Sequence, residues 1–93
     1  MDWTHVNGEE KGEIRFYALS TCGWCRKTKA FLDELGVSYD YTYVDSLTGE
    51  ARDQAVKELE GWNPRRSFPT VVFKGSEVVV GYKPDRIREL LGI

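Results

Sequence analysis

The chain has 93 residues, of which 41% are hydrophobic and 30% charged, with a formal net charge of −2 and two cysteines. That balance describes one globular domain long enough to bury a core and excludes a disordered chain. The charges are interspersed in sign, which argues against a nucleic-acid partner, and no run approaches about 18 apolar residues, which argues against a membrane span.

Residues 1–13, MDWTHVNGEEKGE, lack the basic-then-apolar layout of a secretory signal and read as a loose leader in which Trp3 and Val6 are candidates for docking on the domain. A cytoplasmic location is the resulting expectation. In a reducing cytosol, two close cysteines are catalytic or metal-binding more often than a permanent brace.

The domain proper, 14–93, opens with IRFYAL (14–19), an apolar run that predicts a largely buried strand. Cys25, Thr28, Phe31, Leu32 and Leu35 then recur at helical spacing, with Gly36 as the stop. SYDYTYV (38–44) alternates tyrosines with polar residues and predicts a second strand. TGEARDQAVKELEG (48–61) predicts a helix capped by Thr48, buried through Ala51, Ala55, Val56 and Leu59, and closed by Gly61. After the loop WNPRRSFP, TVVFK and EVVVGY flank Gly75-Ser76 as a hairpin, and Pro84 opens a last helix facing inward through Ile87, Leu90 and Leu91. The order β-α-β-α-β-β-α is an α/β arrangement: a parallel pair joined by a right-handed crossover, with antiparallel strands added by the hairpin. The expected sheet has four strands, mixed in direction and flanked by helices.

Both cysteines lie in STCGWCRK (20–27). Cys22 falls where the first strand ends and the first helix begins, where unpaired backbone N–H groups and the positive end of the helix dipole favour a thiolate. Cys25 follows one turn later, on the core side. Arg26, Lys27 and Lys29 oppose the dipole at a cost of about 0.3–1 kcal/mol each, yet as a cluster beside a thiol they favour negative sulfur. Structural zinc needs four nitrogen or sulfur ligands, and two cysteines with the single His5 fall short, so no metal site is expected. C-x-x-C within a β-α-β unit is instead a redox signature.

From about residue 14 to 92 the chain resembles the glutaredoxin branch of the thioredoxin superfamily. The resemblance is carried by CGWC after an apolar strand, by SFPTVVF (67–73) and by VVGYKPD (79–85) before the last helix. It implies a thioredoxin-like fold and a cis-proline, Pro69, facing the dithiol. The backbone at Phe68 would then be turned outward to pair with a substrate strand beside Cys22. Three positions depart from the pattern. Leu19 stands where glutathione-using members carry a lysine, and Gly81-Tyr82-Lys83-Pro84-Asp85 replaces the element that cradles the γ-glutamyl end. Phe16 stands where thioredoxins carry a buried acid, so no base for Cys25 is named. Arg66 matches a basic position of the glutathione site, and Asp85 is expected near that site. GYKPD is similar to glutaredoxin-like proteins that donate electrons to ribonucleotide reductase and are recharged by a thioredoxin reductase.

The expectation is therefore a monomeric dithiol–disulfide oxidoreductase acting on protein disulfides, ribonucleotide reductase being a candidate target. Cys22 is the nucleophile and Cys25 the resolving thiol. Trp24, Phe68, Pro69 and Tyr82 line the docking groove, Arg66 and Asp85 lie at its margin, and Arg26, Lys27 and Lys29 stabilise the thiolate. No cofactor is expected beyond the redox-active pair, glutathione being the one candidate, and the expected reductant is a thioredoxin-reductase-type enzyme or a low-molecular-weight thiol. A glutathione-dependent glutaredoxin is the first alternative. A carrier of a [2Fe–2S] cluster, favoured by Gly23 in place of the usual proline, is the second.

Overall fold

The computed structural model describes residues 3–93. Its strands are β1 (Thr4–Val6), β2 (Ile14–Ala18), β3 (Tyr39–Tyr43), β4 (Thr70–Phe73) and β5 (Glu77–Val80), and its helices are α1 (Gly23–Leu35), α2 (Gly49–Trp62) and α3 (Pro84–Leu91). They form one sheet in the order β1-β3-β2-β4-β5, with β2 and β3 parallel and every other pair antiparallel. This is the thioredoxin-like α/β fold with five strands rather than the four expected.

The additional strand comes from the stretch read as a loose leader. Thr4, His5 and Val6 pair with Tyr41, Asp40 and Tyr39, and Glu9 bridges Val37 through hydrogen bonds of 2.7 Å to the Gly36 carbonyl and 3.0 Å from the Ser38 N–H. Trp3 meets Tyr17 edge-on at 5.0 Å and receives the Arg15 guanidinium over its ring at 5.2 Å, while Val6 packs against the core. These contacts, rather than apolar periodicity, hold the segment. Gly8 makes the close approach: a Cβ there would lie 2.6 Å from the Gly36 oxygen and from the Val37 carbonyl carbon.

Alternation along the central strands divides the core in two. Ile14, Phe16 and Ala18 of β2, with Val71 and Phe73 of β4, face α1 and α3 through Cys25, Phe31, Leu32, Ile87 and Leu91. Tyr17 and Val72 face the other way, toward Val44 and Leu59. Burying each large side chain of this set stabilises the fold by roughly 1.5–3 kcal/mol. Helix ends follow the expectations in part. Gly36 closes α1 in the left-handed conformation (φ 71). Thr48 precedes α2 without a side-chain capping bond, and α2 runs past Gly61 to Trp62, with Asn63 as its cap. The hairpin turns on Lys74 and Gly75, one residue earlier than expected, with φ of 54 and 66 and the Ser76 N–H donating to Phe73 at 3.1 Å. Positive φ at both central residues suits the twist of the flanking strands.

The pairing register brings four connections to one end of the sheet. Ala18 lies beside Tyr43, Tyr17 beside Thr70, and Thr70 beside Val80. The chain leaving β2, the chain leaving β3, the chain entering β4 and the chain leaving β5 therefore converge. Among the described residues no helix is long and apolar enough to cross a membrane.

The docking of β1 is testable at Gly8. Gly8→Ala forces the Gly36–Ser38 backbone aside and should cost about 1–3 kcal/mol in chemical denaturation, with amide exchange accelerating first along β1 and β3. Unchanged stability and unchanged protection would contradict the placement of this strand.

Candidate active site

Cys22 ends the connection from β2 and caps α1. Its backbone is extended (φ −92, ψ 116) and its Sγ accepts the Cys25 N–H at 3.2 Å, so the sulfur satisfies one of the first-turn amides that a helix leaves unpaired. The Cys22 N–H donates to the Leu19 carbonyl at 3.3 Å, and the Cys22 carbonyl accepts from Arg26 at 3.1 Å. Cys22 is partly exposed and Cys25 is 2% exposed; both are free thiols. Burial pushes the Cys25 thiol up to about 12, helped by its hydrogen bond with Cys22. The pair is thus asymmetric: one cysteine is partly exposed at a helix start, and the other is held in the core with its thiol displaced toward the protonated form.

A second set of contacts fixes the turn that carries Cys22. Asp45, in the 3-10 turn after β3, accepts the Ser20 N–H at 2.9 Å through one carboxylate oxygen and the Ser20 hydroxyl through the other. Those bonds hold the Asp45 carboxyl below its usual range. Inside α1, the Thr28 hydroxyl donates to the Trp24 carbonyl at 2.9 Å, which orders the turn bearing both cysteines.

Two hollows flank this turn. The first, ≈260 Å³, is lined by Trp24, Phe68, Pro69, Gly81 and Tyr82. Trp24 is 58% exposed and stacks on Tyr82 at 5.9 Å between ring centres. The Phe68–Pro69 peptide is cis. Trp24, Phe68, Pro69 and Tyr82 are the four residues assigned to the groove from the sequence; the structure brings them together and adds Gly81. The second hollow, ≈360 Å³, lies toward α2; Leu19, Asp45, Arg65, Arg66 and Phe68 contribute to its walls. Phe68 borders both. Cys22 stands in the chain between Leu19 of one hollow and Trp24 of the other.

The basic residues after the pair divide in three. Arg26 is exposed beside the turn and its amide bonds to Cys22. Lys27 lies over the Trp24 ring at 4.8 Å and so acts on the groove wall. Lys29, expected beside the thiolate, instead pairs with Asp33 at 3.1 Å and lies over Tyr41 at 4.9 Å. An i,i+4 carboxylate and an aromatic face on the neighbouring strand outcompete a sulfur nearly two turns away. Arg66 lines the second hollow, with φ 51 and an ion pair to Glu60 at 3.7 Å. Asp85 is exposed in the first turn of α3 and lines neither of the two hollows. Among the described residues no group of three or more histidine, cysteine or acidic side chains could hold a metal ion.

The sequence reading overlooked Ser20, Asp45 and Asn63. Asn63 is 5% exposed and its side chain bonds along the loop that carries Arg65, Arg66 and Phe68. A lone asparagine before proline gives no sequence signal beyond a turn.

Comparison with known proteins agrees with this geometry. The glutaredoxin family model matches residues 14–78. The structure is similar to that of the glutaredoxin from Methanosarcina mazei Go1, with a TM-score of 0.91 and 45% identity over 100% of this chain and 90% of that one. It is similar also to Methanosarcina acetivorans methanoredoxin, with a TM-score of 0.89 and 44% identity over 92% and 90% of the two chains. The Escherichia coli NrdH-redoxin, described as a glutaredoxin-like protein with a thioredoxin-like activity profile, aligns at a TM-score of 0.67 and 26% identity over 84% and 93%. The chain belongs to the glutaredoxin family, as a thiol oxidoreductase of thioredoxin-like fold whose two cysteines are Cys22 and Cys25.

Proposed function

We propose that the protein reduces disulfides in other proteins through the Cys22–Cys25 pair and is recharged mainly by a thioredoxin-reductase-type enzyme rather than by glutathione. The observation that carries this reading is the asymmetry of the two thiols: Cys22 is partly exposed at the start of α1, whereas Cys25 is buried and pushed up to about 12. Cys22 as thiolate attacks one sulfur of the target disulfide; that S–S bond breaks, a Cys22–target bond forms, and the departing target thiolate takes up a proton. Cys25 then loses its proton and attacks Cys22 Sγ, releasing the second target thiolate, which is protonated in turn. Two electrons have passed to the target and the protein carries a Cys22–Cys25 bond. The reductase restores both thiols. No further cofactor is assigned.

The groove of Trp24, Phe68, Pro69 and Tyr82 supports a polypeptide substrate, because it offers exposed aromatic surface on the helix turn that carries the cysteines. Ribonucleotide reductase is the target suggested by the GYKPD segment, and a thioredoxin-like activity profile belongs to one structural relative. Leu19 argues against glutathione as the main reductant. It is apolar where a lysine would hold a carboxylate, and the Arg66 guanidinium, at the wall of the same hollow, already pairs with Glu60.

Two outcomes test this reading. Reduced protein treated with iodoacetamide at pH 7–8 should carry label on Cys22 alone, since a thiol displaced to about 12 is protonated throughout that range. Peptide mass mapping checks this, and faster labelling of Cys25 would reverse the roles. Glutathione with its reductase should drive turnover slowly, and Leu19→Lys should raise that rate about ten- to a hundredfold by adding a charge-assisted bond of roughly 1.5–3 kcal/mol. A fast wild-type rate left unimproved by the lysine would favour the glutathione-dependent alternative.

A further inference from the structure

The segment from Arg65 to Pro69 supplies a wall to both hollows beside Cys22, yet it belongs to no helix or strand. Its shape has to be imposed from outside, and one side chain contacts it at several points. Asn63 closes α2, its own N–H donating to Leu59 at 2.7 Å. From that anchored position its Nδ2 donates to the Ser67 hydroxyl at 3.0 Å, the Ser67 carbonyl at 3.3 Å and the Thr70 hydroxyl at 3.1 Å. Its Oδ1 accepts the Arg65 N–H at 3.2 Å, and its backbone carbonyl accepts the Arg66 N–H at 2.9 Å. Thr70 completes the circuit by donating to the Ser67 carbonyl at 2.8 Å.

Asn63 and Thr70 are buried, at 5% and 0% exposure, and an unpaired amide there would carry its full desolvation penalty. A carboxamide offers donors and an acceptor on one short planar group, and here both ends are used. A buried network in which every member is paired fixes one geometry, whereas partial satisfaction leaves the segment free to shift. The turn bearing Cys22 is held separately, by Asp45, Leu19 and Cys25. The nucleophile and the wall that would receive the substrate are therefore fixed by independent sets of bonds.

We infer that Asn63 is the positioning residue for protein substrates: through Ser67 and Thr70 it sets the Phe68 wall between the two hollows, and so governs docking of a polypeptide disulfide without taking part in thiol chemistry. The inference rests on the reading of the protein as a disulfide reductase. It differs from a merely structural role in what it moves: recognition of large substrates changes, and the intrinsic reactivity of Cys22 does not.

Pre-reduced protein, freed of dithiothreitol, is mixed with excess insulin or with 2-hydroxyethyl disulfide, and the oxidation rate is followed against substrate concentration. The variants are Asn63→Ala, Asn63→Asp and Ser67→Ala. Asn63→Asp keeps the shape and the acceptor for Arg65 but loses the donors and sets an acceptor against the Ser67 carbonyl. The half-saturating insulin concentration should rise about ten- to a hundredfold in both Asn63 variants, as displacement of a substrate-positioning wall entails, and by a smaller factor in Ser67→Ala. The limiting rate with insulin and the rate with the small disulfide should stay within about twofold. Ser67→Ala removes a half-buried hydroxyl that is one of the acceptors of the Asn63 amide and leaves the others in place, so it reports even where the Asn63 variants fail to fold. Unchanged insulin dependence in every folded variant overturns the inference, as does an equal loss on both substrates. A wild-type protein that reduces neither substrate would overturn the disulfide-reductase reading itself, a result distinct from a failure confined to the variants.

Discussion

The hydrogen bond from the Cys25 amide to the Cys22 sulfur, 3.2 Å long, joins the two functions that this helix start has to combine. A helix leaves its first amides unpaired, and an oxygen-bearing side chain ordinarily supplies the acceptor. Here the acceptor is the Cys22 sulfur, the nucleophile of the proposed reading. Because the cap is extended and the next turn helical, residue 22 is left at the surface while residue 25 is turned into the core against Phe16, Ala18 and Phe31. The unequal exposure of the two thiols, and with it the direction of attack on the proposed reading, follows from one cap and one turn of helix.

The rest of the fold serves that helix start. Parallel pairing of β2 with β3 puts the turn before Cys22 next to the turn after Tyr43, which is how Asp45 reaches Ser20 across 25 positions of sequence. Antiparallel pairing of β4 with β2 returns the chain at the same end, so Phe68 and Pro69 enter the sheet beside the cysteines. The hairpin then brings Gly81 and Tyr82 back, and Tyr82 supports Trp24. Phe68 is the element shared by the apolar groove and the more basic hollow.

The C-x-x-C spacing and the strand-to-helix junction were legible in the sequence because each is a local pattern, a spacing or a boundary, whereas the aromatic groove, drawn from positions 24, 68, 69 and 82, was reached through the family resemblance. The strand at Thr4–Val6 was not, since three residues with polar neighbours have no alternation to read and are held by Trp3 on Tyr17 and by the Glu9 bridge. Lys29 was misplaced for a related reason. Its partners, Asp33 and the ring of Tyr41, come from the next turn of the helix and from the adjacent strand, whereas proximity in sequence suggested the thiol. Asn63 and Asp45 are common loop and turn residues until the sheet brings Thr70 and Ser20 within reach. What escaped the sequence are tertiary hydrogen bonds made by residues with no periodicity of their own.

The central claim is that exchange begins at Cys22 and is completed within the protein by Cys25. Rapid acid quench of the reduced protein after mixing with a disulfide-bonded polypeptide, followed by intact-mass and peptide analysis at successive times, reads both steps directly. The account predicts a transient covalent adduct on Cys22 that decays, without further reagent, to unmodified protein two hydrogens lighter through a Cys22–Cys25 bond. An adduct appearing first on Cys25, or one on Cys22 that accumulates and persists, would contradict it.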